Sequence, residues 1–190
     1  MPAPPSSRER LLEAAYACVA RDGLAKTSME DVAAEAKLSR ATVYRQFPQG
    51  RDQLVREVIA WESGRFFERL TRAVAHHVEL PELLEEALVF AHRAVAEHAV
   101  LQKILETEPE RLLPVLTTES GRLLALVKQF LVLAMTRTEV RAGLDADAAA
   151  DYLARMVLSH VGAPGRWDLT DPVQVRELVR TQFLGGILPR

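Results

Sequence analysis

The residues with the clearest chemical potential lie on one short segment, residues 39–47. On a helical wheel, Val43 and Phe47 share one side of this segment. Four residues that point away from that side combine a small side chain, two hydroxyls and a guanidinium: Ala41, Thr42, Tyr44 and Arg45. Arg45 can donate two hydrogen bonds to guanine, the hydroxyls can bind phosphate, and the small Ala41 allows close approach to a groove floor. The segment therefore predicts a DNA-reading helix that Val43 and Phe47 anchor from behind.

Two short helices joined by a turn must position these side chains. Thr27 and Glu30 have the spacing of a capping box, in which each side chain bonds to the other residue's amide. A helix is therefore predicted over 28–36, followed by a turn at 37–39. Ser39 is a good N-cap for the next helix. This order is typical of a helix-turn-helix, whose second helix enters the major groove.

The rest of the chain also predicts helices. Apolar residues recur at helical spacing, and no segment alternates apolar and polar residues as a half-buried strand does. Capping residues, proline and glycine place the predicted helices at 7–21, 28–36, 40–47, 51–77, 81–98, 101–106, 109–117, 120–142, 145–161 and 172–185. We expect an all-α fold with a flexible arm over residues 1–7.

Composition excludes several classes of protein. Hydrophobic residues make up 48% and charged residues 26% of the chain, as in globular proteins. No apolar run approaches the roughly 20 residues that span a bilayer, and no signal peptide is recognisable, so a cytoplasmic protein without membrane contact is expected. The net charge of −2 divides into +2 for residues 1–51 and −4 for the remainder, the direction expected for an N-terminal DNA reader.

Catalytic and metal-binding motifs are missing from the sequence. There is no glycine-rich phosphate loop, no serine elbow and no His-Glu-x-x-His. Cys18 is the only cysteine, which excludes an intrachain disulfide and a cysteine-based zinc site. Adjacent His76 and His77 cannot face one site from a helix. We therefore expect no enzyme activity, no metal and no cofactor.

The N-terminal part resembles the TetR family of bacterial regulators. The resemblance rests on residues 10–15, 27–33, 38–48 and 52–55, and especially on the run Tyr44-Arg45-Gln46-Phe47-Pro48. It implies a three-helix DNA-binding head (8–50), a larger helical ligand-binding and dimerisation domain (51–190), and repression relieved by a small molecule. It also implies DNA contacts for Thr27, Ser28, Ser39, Arg40, Ala41, Thr42, Tyr44 and Arg45. Gln49-Gly50-Arg51 departs from the Ser-Lys pair common in the family, and Arg51 is expected to supply the phosphate-binding charge.

The C-terminal helices carry two further sets of candidate residues. If the body has a pocket for an apolar or amphipathic effector, we expect it to be lined by Trp61, Phe66, Leu88, Ala91, Leu105, Leu112, Leu116, Leu124, Val127 and Leu131, although such apolar stripes also form plain cores. The last two helices are the best candidates for a dimer interface: Tyr152, Met156, His160, Val175, Leu178, Val179, Gln182 and Phe183.

The sequence is best explained by a ligand-responsive repressor that binds a palindromic operator as a homodimer. The twofold symmetry follows from DNA geometry, because one short helix reads few bases and a pair reads two half-sites. The alternative is a helical small-molecule-binding or interaction module without operator-specific DNA binding. Activation in place of repression stays open.

Overall fold

Helices account for all the regular structure in the part of the chain that is described. The computed structural model describes residues 5–189, apart from the side chains of residues 111–120. The helices are α1 (Ser7–Asp22), α2 (Met29–Glu35), α3 (Arg40–Gln46), α4 (Arg51–Val74), α5 (Leu80–Ala96), α6 (Ala99–Thr107), α7 (Leu112–Met135), α8 (Ala146–Gly162) and α9 (Pro172–Leu178). A 3₁₀ turn, Pro109–Arg111, precedes α7, and a π-helical segment, Val179–Phe183, follows α9. Among the described residues, none of these helices is both apolar enough and long enough to span a bilayer.

The chain forms two compact units that do not follow its linear order. The first contains the chain up to Glu68 together with Glu97–Leu113, and the second contains Arg69–Ala96 and Pro114–Arg190. The predicted arm lies largely outside the described residues, but Ser6 caps α1 in a capping box with Glu9. The first unit extends beyond the head predicted to end at residue 50, because the start of α4 and the whole of α6 belong to it.

The core of the first unit joins α1, α2, α3 and the start of α4. Its buried members are Leu11, Leu12, Ala14, Ala15, Cys18, Met29, Val32, Ala33, Ala36, Val43, Phe47 and Leu54. Val58 and Trp61 of α4 pack against this cluster and are half-buried. Burial raises the pKa of the Cys18 thiol above its ordinary value, so this cysteine serves as an apolar core residue and is a poor nucleophile.

The core of the second unit corrects part of the predicted dimer interface. Val175, Leu178, Val179 and Phe183 are almost fully buried within the chain itself, in a cluster with residues of α5, α7 and α8. Their side chains therefore stabilise the protomer and are not presented to a second copy. Arg180 reinforces the same packing, because its guanidinium binds Glu82 at 2.8 Å and Glu85 at 3.2 Å on α5.

Two parts of the predicted helix pattern were wrong. The break expected between residues 117 and 120 is absent, because α7 runs without interruption from Leu112, after the 3₁₀ turn, to Met135, short of the predicted end at 142. Pro114 does not interrupt it, because the first amides of a helix need no intrahelical acceptor. The last predicted helix is regular only to Leu178 and continues as the π-helical segment.

Candidate nucleic-acid interface

The second helix starts one residue later than the sequence predicted. Ser28 is the N-cap of α2: its hydroxyl accepts from the amide of Asp31 at 3.1 Å, and the Asp31 carboxylate accepts from the Ser28 amide at 2.9 Å. The capping box therefore joins Ser28 and Asp31, and the prediction of Thr27 and Glu30 was wrong. Thr27 is only 7% exposed and its hydroxyl donates to the Gly23 carbonyl at 2.9 Å. Its side chain is thus turned inward and is not available to DNA.

A tight reversal connects α2 to α3. Lys37 adopts a left-handed conformation (φ 54°), and the amide of Leu38 donates to the Ala33 carbonyl at 3.0 Å. This is a Schellman motif, which satisfies the last carbonyls of α2 and turns the chain sharply. Ser39 then caps α3, where its hydroxyl accepts from the Thr42 amide at 3.2 Å and lies 2.9 Å from the Thr42 hydroxyl.

The two sides of α3 differ sharply in burial. Val43 and Phe47 are fully enclosed in the first core, which confirms that they anchor the helix. Its outward residues are exposed, with Tyr44 at 47%: Arg40, Ala41, Tyr44 and Arg45. Thr42 is half-buried. The helix thus offers two guanidinium groups, a phenol and a small residue on one accessible side.

Two of the predicted DNA-contacting arginines are engaged within the protein. Arg40 forms an ion pair with Glu30 of α2, so a phosphate would have to displace that carboxylate. Arg51, the first residue of α4, donates through Nε to the Thr27 carbonyl at 3.0 Å and through a terminal nitrogen to the Leu24 carbonyl. The expected phosphate contact of Arg51 therefore competes with a structural role in holding the α1–α2 loop.

Sequence patterns missed Arg8, which ties α3 to its neighbours. Its guanidinium donates to the Gln46 carbonyl at 3.0 Å, pairs with Glu57 of α4 and lies 5.0 Å from the centre of the Phe47 ring. It therefore fixes the end of α3 against α1 and α4. No local signal marks it, because its partners lie far away in the sequence.

The capping box of α2 should make the head sensitive to acid. Hydrogen bonds from the Ser28 hydroxyl and amide lower the pKa of Asp31 below its ordinary value of 3.8. A depressed carboxylate pKa adds stability that is present above the ordinary pKa and is lost as the pH falls through the folded-state pKa. We expect Asp31→Asn to lower the thermal midpoint at neutral pH, and this difference from wild type to shrink as the pH falls below the ordinary value of 3.8. Thermal melts across this range test it, with Glu13→Gln, an exposed neutral substitution on α1, as the control. A difference that stays constant with pH would contradict the assignment.

The predicted pocket residues fall into separate environments. Leu88 and Leu131 are enclosed by protein atoms in the second core, so a ligand reaches them only if neighbouring side chains move. Ala91 is also buried, and Leu124 and Val127 pack against that core. Trp61 packs against the first core, Phe66 makes an edge contact with Phe67, and Leu105 is exposed. Leu112 and Leu116 lie outside the described side chains. The pocket itself stays a prediction.

The remaining interface candidates lie on the outer side of α8 and just after α9. Tyr152 is exposed and its hydroxyl donates to the carbonyl of Gln182 at 2.7 Å. Gln182 is exposed, and Met156 and His160 are half-buried. The His160 ring meets the edge of Phe183, with 5.1 Å between ring centres. Two contacts therefore link α8 to the segment after α9, one through Tyr152 and one through His160.

The N-terminal and the C-terminal part of the chain both match models of bacterial regulator families. Residues 11–58 match the family model described as bacterial regulatory proteins, tetR family, and residues 79–180 match the model of the bacterial tetracyclin repressor, C-terminal domain. No curated protein sequence matches the chain.

Solved structures with the same fold cover nearly the whole chain. The TetR family repressor AlkX from Dietzia sp. strain DQ12-45-1b is 21% identical with a TM-score of 0.66, and the match covers 97% of this chain and 99% of that one. The fatty acid degradation regulator FadR from Bacillus halodurans is 18% identical with a TM-score of 0.60, over 94% and 96% of the two chains. A SmeT–triclosan complex is 22% identical with a TM-score of 0.61, over 97% and 93%.

Proposed function

The chain belongs to the TetR family of bacterial transcriptional regulators, and from this premise we propose that it is a repressor that binds a palindromic operator as a homodimer and releases it when a small molecule binds. One observation carries the DNA-binding part of the proposal. The exposed side of α3 bears Arg45, Tyr44 and Ala41, whereas Val43 and Phe47 lock the opposite side into the core. A protein acting on DNA in this way works in the cytoplasm and needs no catalytic group.

The residues of the helix-turn-helix divide into two proposed roles. Arg45 and Ala41 face the bases, where a guanidinium can distinguish guanine. Ser28, Ser39, Thr42 and Tyr44 are placed to contact the sugar–phosphate backbone, which fixes the register on the duplex. Arg40 joins them when a phosphate replaces Glu30. Arg51 stays in our proposal as a residue near the backbone whose main bonds are to the α1–α2 loop.

Dimerisation is proposed through the outer surface of α8 and the segment after α9. Tyr152, Met156, His160 and Gln182 supply apolar area and hydrogen-bonding groups there. This composition suits an interface, since aromatic residues and methionine are enriched in interface cores. A twofold pair of heads would then read two half-sites about one helical turn apart.

An apolar or amphipathic effector is proposed for the helical body. The support is family membership and the presence of α4 as one continuous helix whose residues belong to both units. Binding that favours one position of α4 would alter operator affinity by a coupling free energy of about 1–3 kcal/mol. The alternative of a module without operator specificity predicts weak binding that depends only on salt.

Selection of bound sequences from a random duplex pool tests the proposal directly. A recovered palindrome supports a symmetric DNA-binding dimer and supplies the operator for further measurements. If no preferred sequence is recovered and all duplexes bind with equal affinity, the alternative of a module without operator specificity is favoured and the regulator proposal is refuted.

Arg45→Ala separates base reading from phosphate binding. We expect this variant to lose about 1–3 kcal/mol of binding free energy on the selected operator and much less on an unselected duplex, because its guanidinium reads a base. Fluorescence anisotropy at fixed salt gives both affinities. Arg93→Ala, which removes an exposed arginine from α5, is the matched control and should bind like wild type. An equal loss on both duplexes would make Arg45 a phosphate contact.

A further inference from the structure

The loop between α1 and α2 is held by a carboxylate from a distant part of the chain. Glu108 directly follows α6, and both of its carboxylate oxygens accept from the amide of Ala25 at 2.9 Å. Glu108 is only 8% exposed. Both oxygens share this one amide donor, and because the carboxylate is largely removed from water, its charge-assisted bond to the loop is weakly screened.

The loop is shaped to admit this carboxylate. Gly23 has a positive φ of 85°, and a Cβ atom at this position would lie 2.8 Å from Oε1 of Glu108. A larger residue at position 23 would therefore displace the Glu108 carboxylate from its place against the loop, and would strain the backbone. From α4, Arg51 donates to the carbonyls of Leu24 and Thr27. We call this arrangement of Glu108, Arg51 and the loop 23–28 the loop clasp.

Glu108 lies between two helical segments. It is the C-cap of α6 and directly precedes the 3₁₀ turn Pro109–Arg111. Its carboxylate is turned towards the α1–α2 loop and is largely removed from water, a desolvation cost that the bond to Ala25 offsets. The bond to Ala25 is therefore the contact through which position 108 can hold the loop.

Helix α6, which precedes Glu108, is held against α1. At the other end of α6, the His98 ring meets the edge of Tyr16 on α1, with 5.7 Å between ring centres. The same histidine caps α6 by accepting from the Leu101 amide at 3.1 Å. Because α6 is attached to the first unit at both ends, Glu108 presents its carboxylate to the loop from a defined position.

The loop leads directly into the helices that present the outward side chains. It ends at Ser28, which caps α2, and α2 and α3 pack in one core in which Val32 and Val43 are fully buried. This packing does not depend on the pair between Glu30 and Arg40. We propose that Glu108 is a positioning residue for DNA binding, which holds the α1–α2 loop so that α2 and α3 present their outward side chains in register. This inference rests on the proposed function, since it assumes that α3 reads DNA.

Graded substitutions at one position test the proposal. Glu108→Ala removes the acceptor and should weaken binding about tenfold or more, whereas Glu108→Gln keeps a neutral acceptor and should lose only ~3-fold, because a bond to a charged group is the stronger one. Both the selected operator and a random-sequence duplex are titrated, and the loss should appear on both because the whole helix-turn-helix shifts. Glu110→Ala removes an exposed carboxylate two positions away and is the matched control. Circular dichroism confirms that each variant is folded at the assay temperature, and hydrogen exchange of the Ala25 amide should be faster in Glu108→Ala.

Each result decides for or against the clasp. A folded Glu108→Ala protein that binds as tightly as Glu110→Ala overturns it, while wild-type binding leaves the proposed function standing. Failure of the wild-type protein to bind either duplex refutes the proposed function instead. If Glu108→Ala does not fold, Glu108→Gln decides: a loss relative to Glu110→Ala supports positioning, and equal affinity overturns it.

Discussion

Phe47→Ala is expected to lower the free energy of unfolding of the first unit by about 3–5 kcal/mol and to remove DNA binding with it. The side chain has no exposed surface and lies in the cluster shared by α1, α2, α3 and α4. It also carries the Arg8 guanidinium on its ring. Truncation leaves a cavity and frees the end of α3, so the outward side chains lose their fixed position.

Tyr44→Ala is the matched control, because it removes an aromatic ring that is exposed on the same helix. Its free energy of unfolding should stay within about 0.5 kcal/mol of wild type, while its affinity for the operator falls. Denaturant titration and anisotropy on both variants give the two quantities. If Phe47→Ala kept the stability of wild type, the anchoring of α3 from behind would be wrong.

Local patterns were sufficient to predict the two sides of α3. The apolar spacing of Val43 and Phe47 and the serine cap before them are encoded within a few residues, and the structure has both. The capping box of α2 shows the limit of such reasoning. Residues 27–31 offer two overlapping boxes of the same chemistry, and the choice of Ser28 depends on the bond from Thr27 to Gly23.

The contacts that hold the head together could not be predicted in this way. Arg8 reaches Gln46 and Glu57, and Glu108 reaches Ala25. Each pair is separated by tens of residues, and an arginine or glutamate on a helix surface carries no mark of its partner. Propensity and periodicity describe a segment's own turns, whereas these bonds depend on how the segments pack.

The dimer interface illustrates a different limit. An apolar side on a helix predicts burial, but the burying surface can belong to the same chain or to a second copy. Val175 and Leu178 have the spacing expected of either case, and the structure places them in the protomer's own core. The interface proposal therefore moves to Tyr152 and its neighbours on the outer side of α8.

Phe183→Ala distinguishes burial in the protomer's own core from burial in a dimer interface, because the first affects protomer stability and the second affects dimerisation. Phe183 is 1% exposed and packs in the second core beside the His160 ring. Its truncation should cost about 3–5 kcal/mol of unfolding free energy through the cavity it leaves. Because Phe183 itself is enclosed in the protomer and reaches the proposed interface only through the His160 ring that it supports, the dimer dissociation constant measured well below the melting temperature should change far less than the protomer's stability.

Tyr152→Ala should behave in the opposite way. Its ring is exposed on the proposed interface, so its removal should weaken dimerisation with a smaller effect on protomer stability. Sedimentation velocity over a concentration series measures association, and denaturant unfolding at fixed concentration measures stability. If Phe183→Ala weakened dimerisation while the protomer kept wild-type stability, Phe183 would have to be an interface residue. Loss of a side chain from the protomer's own core cannot leave protomer stability unchanged.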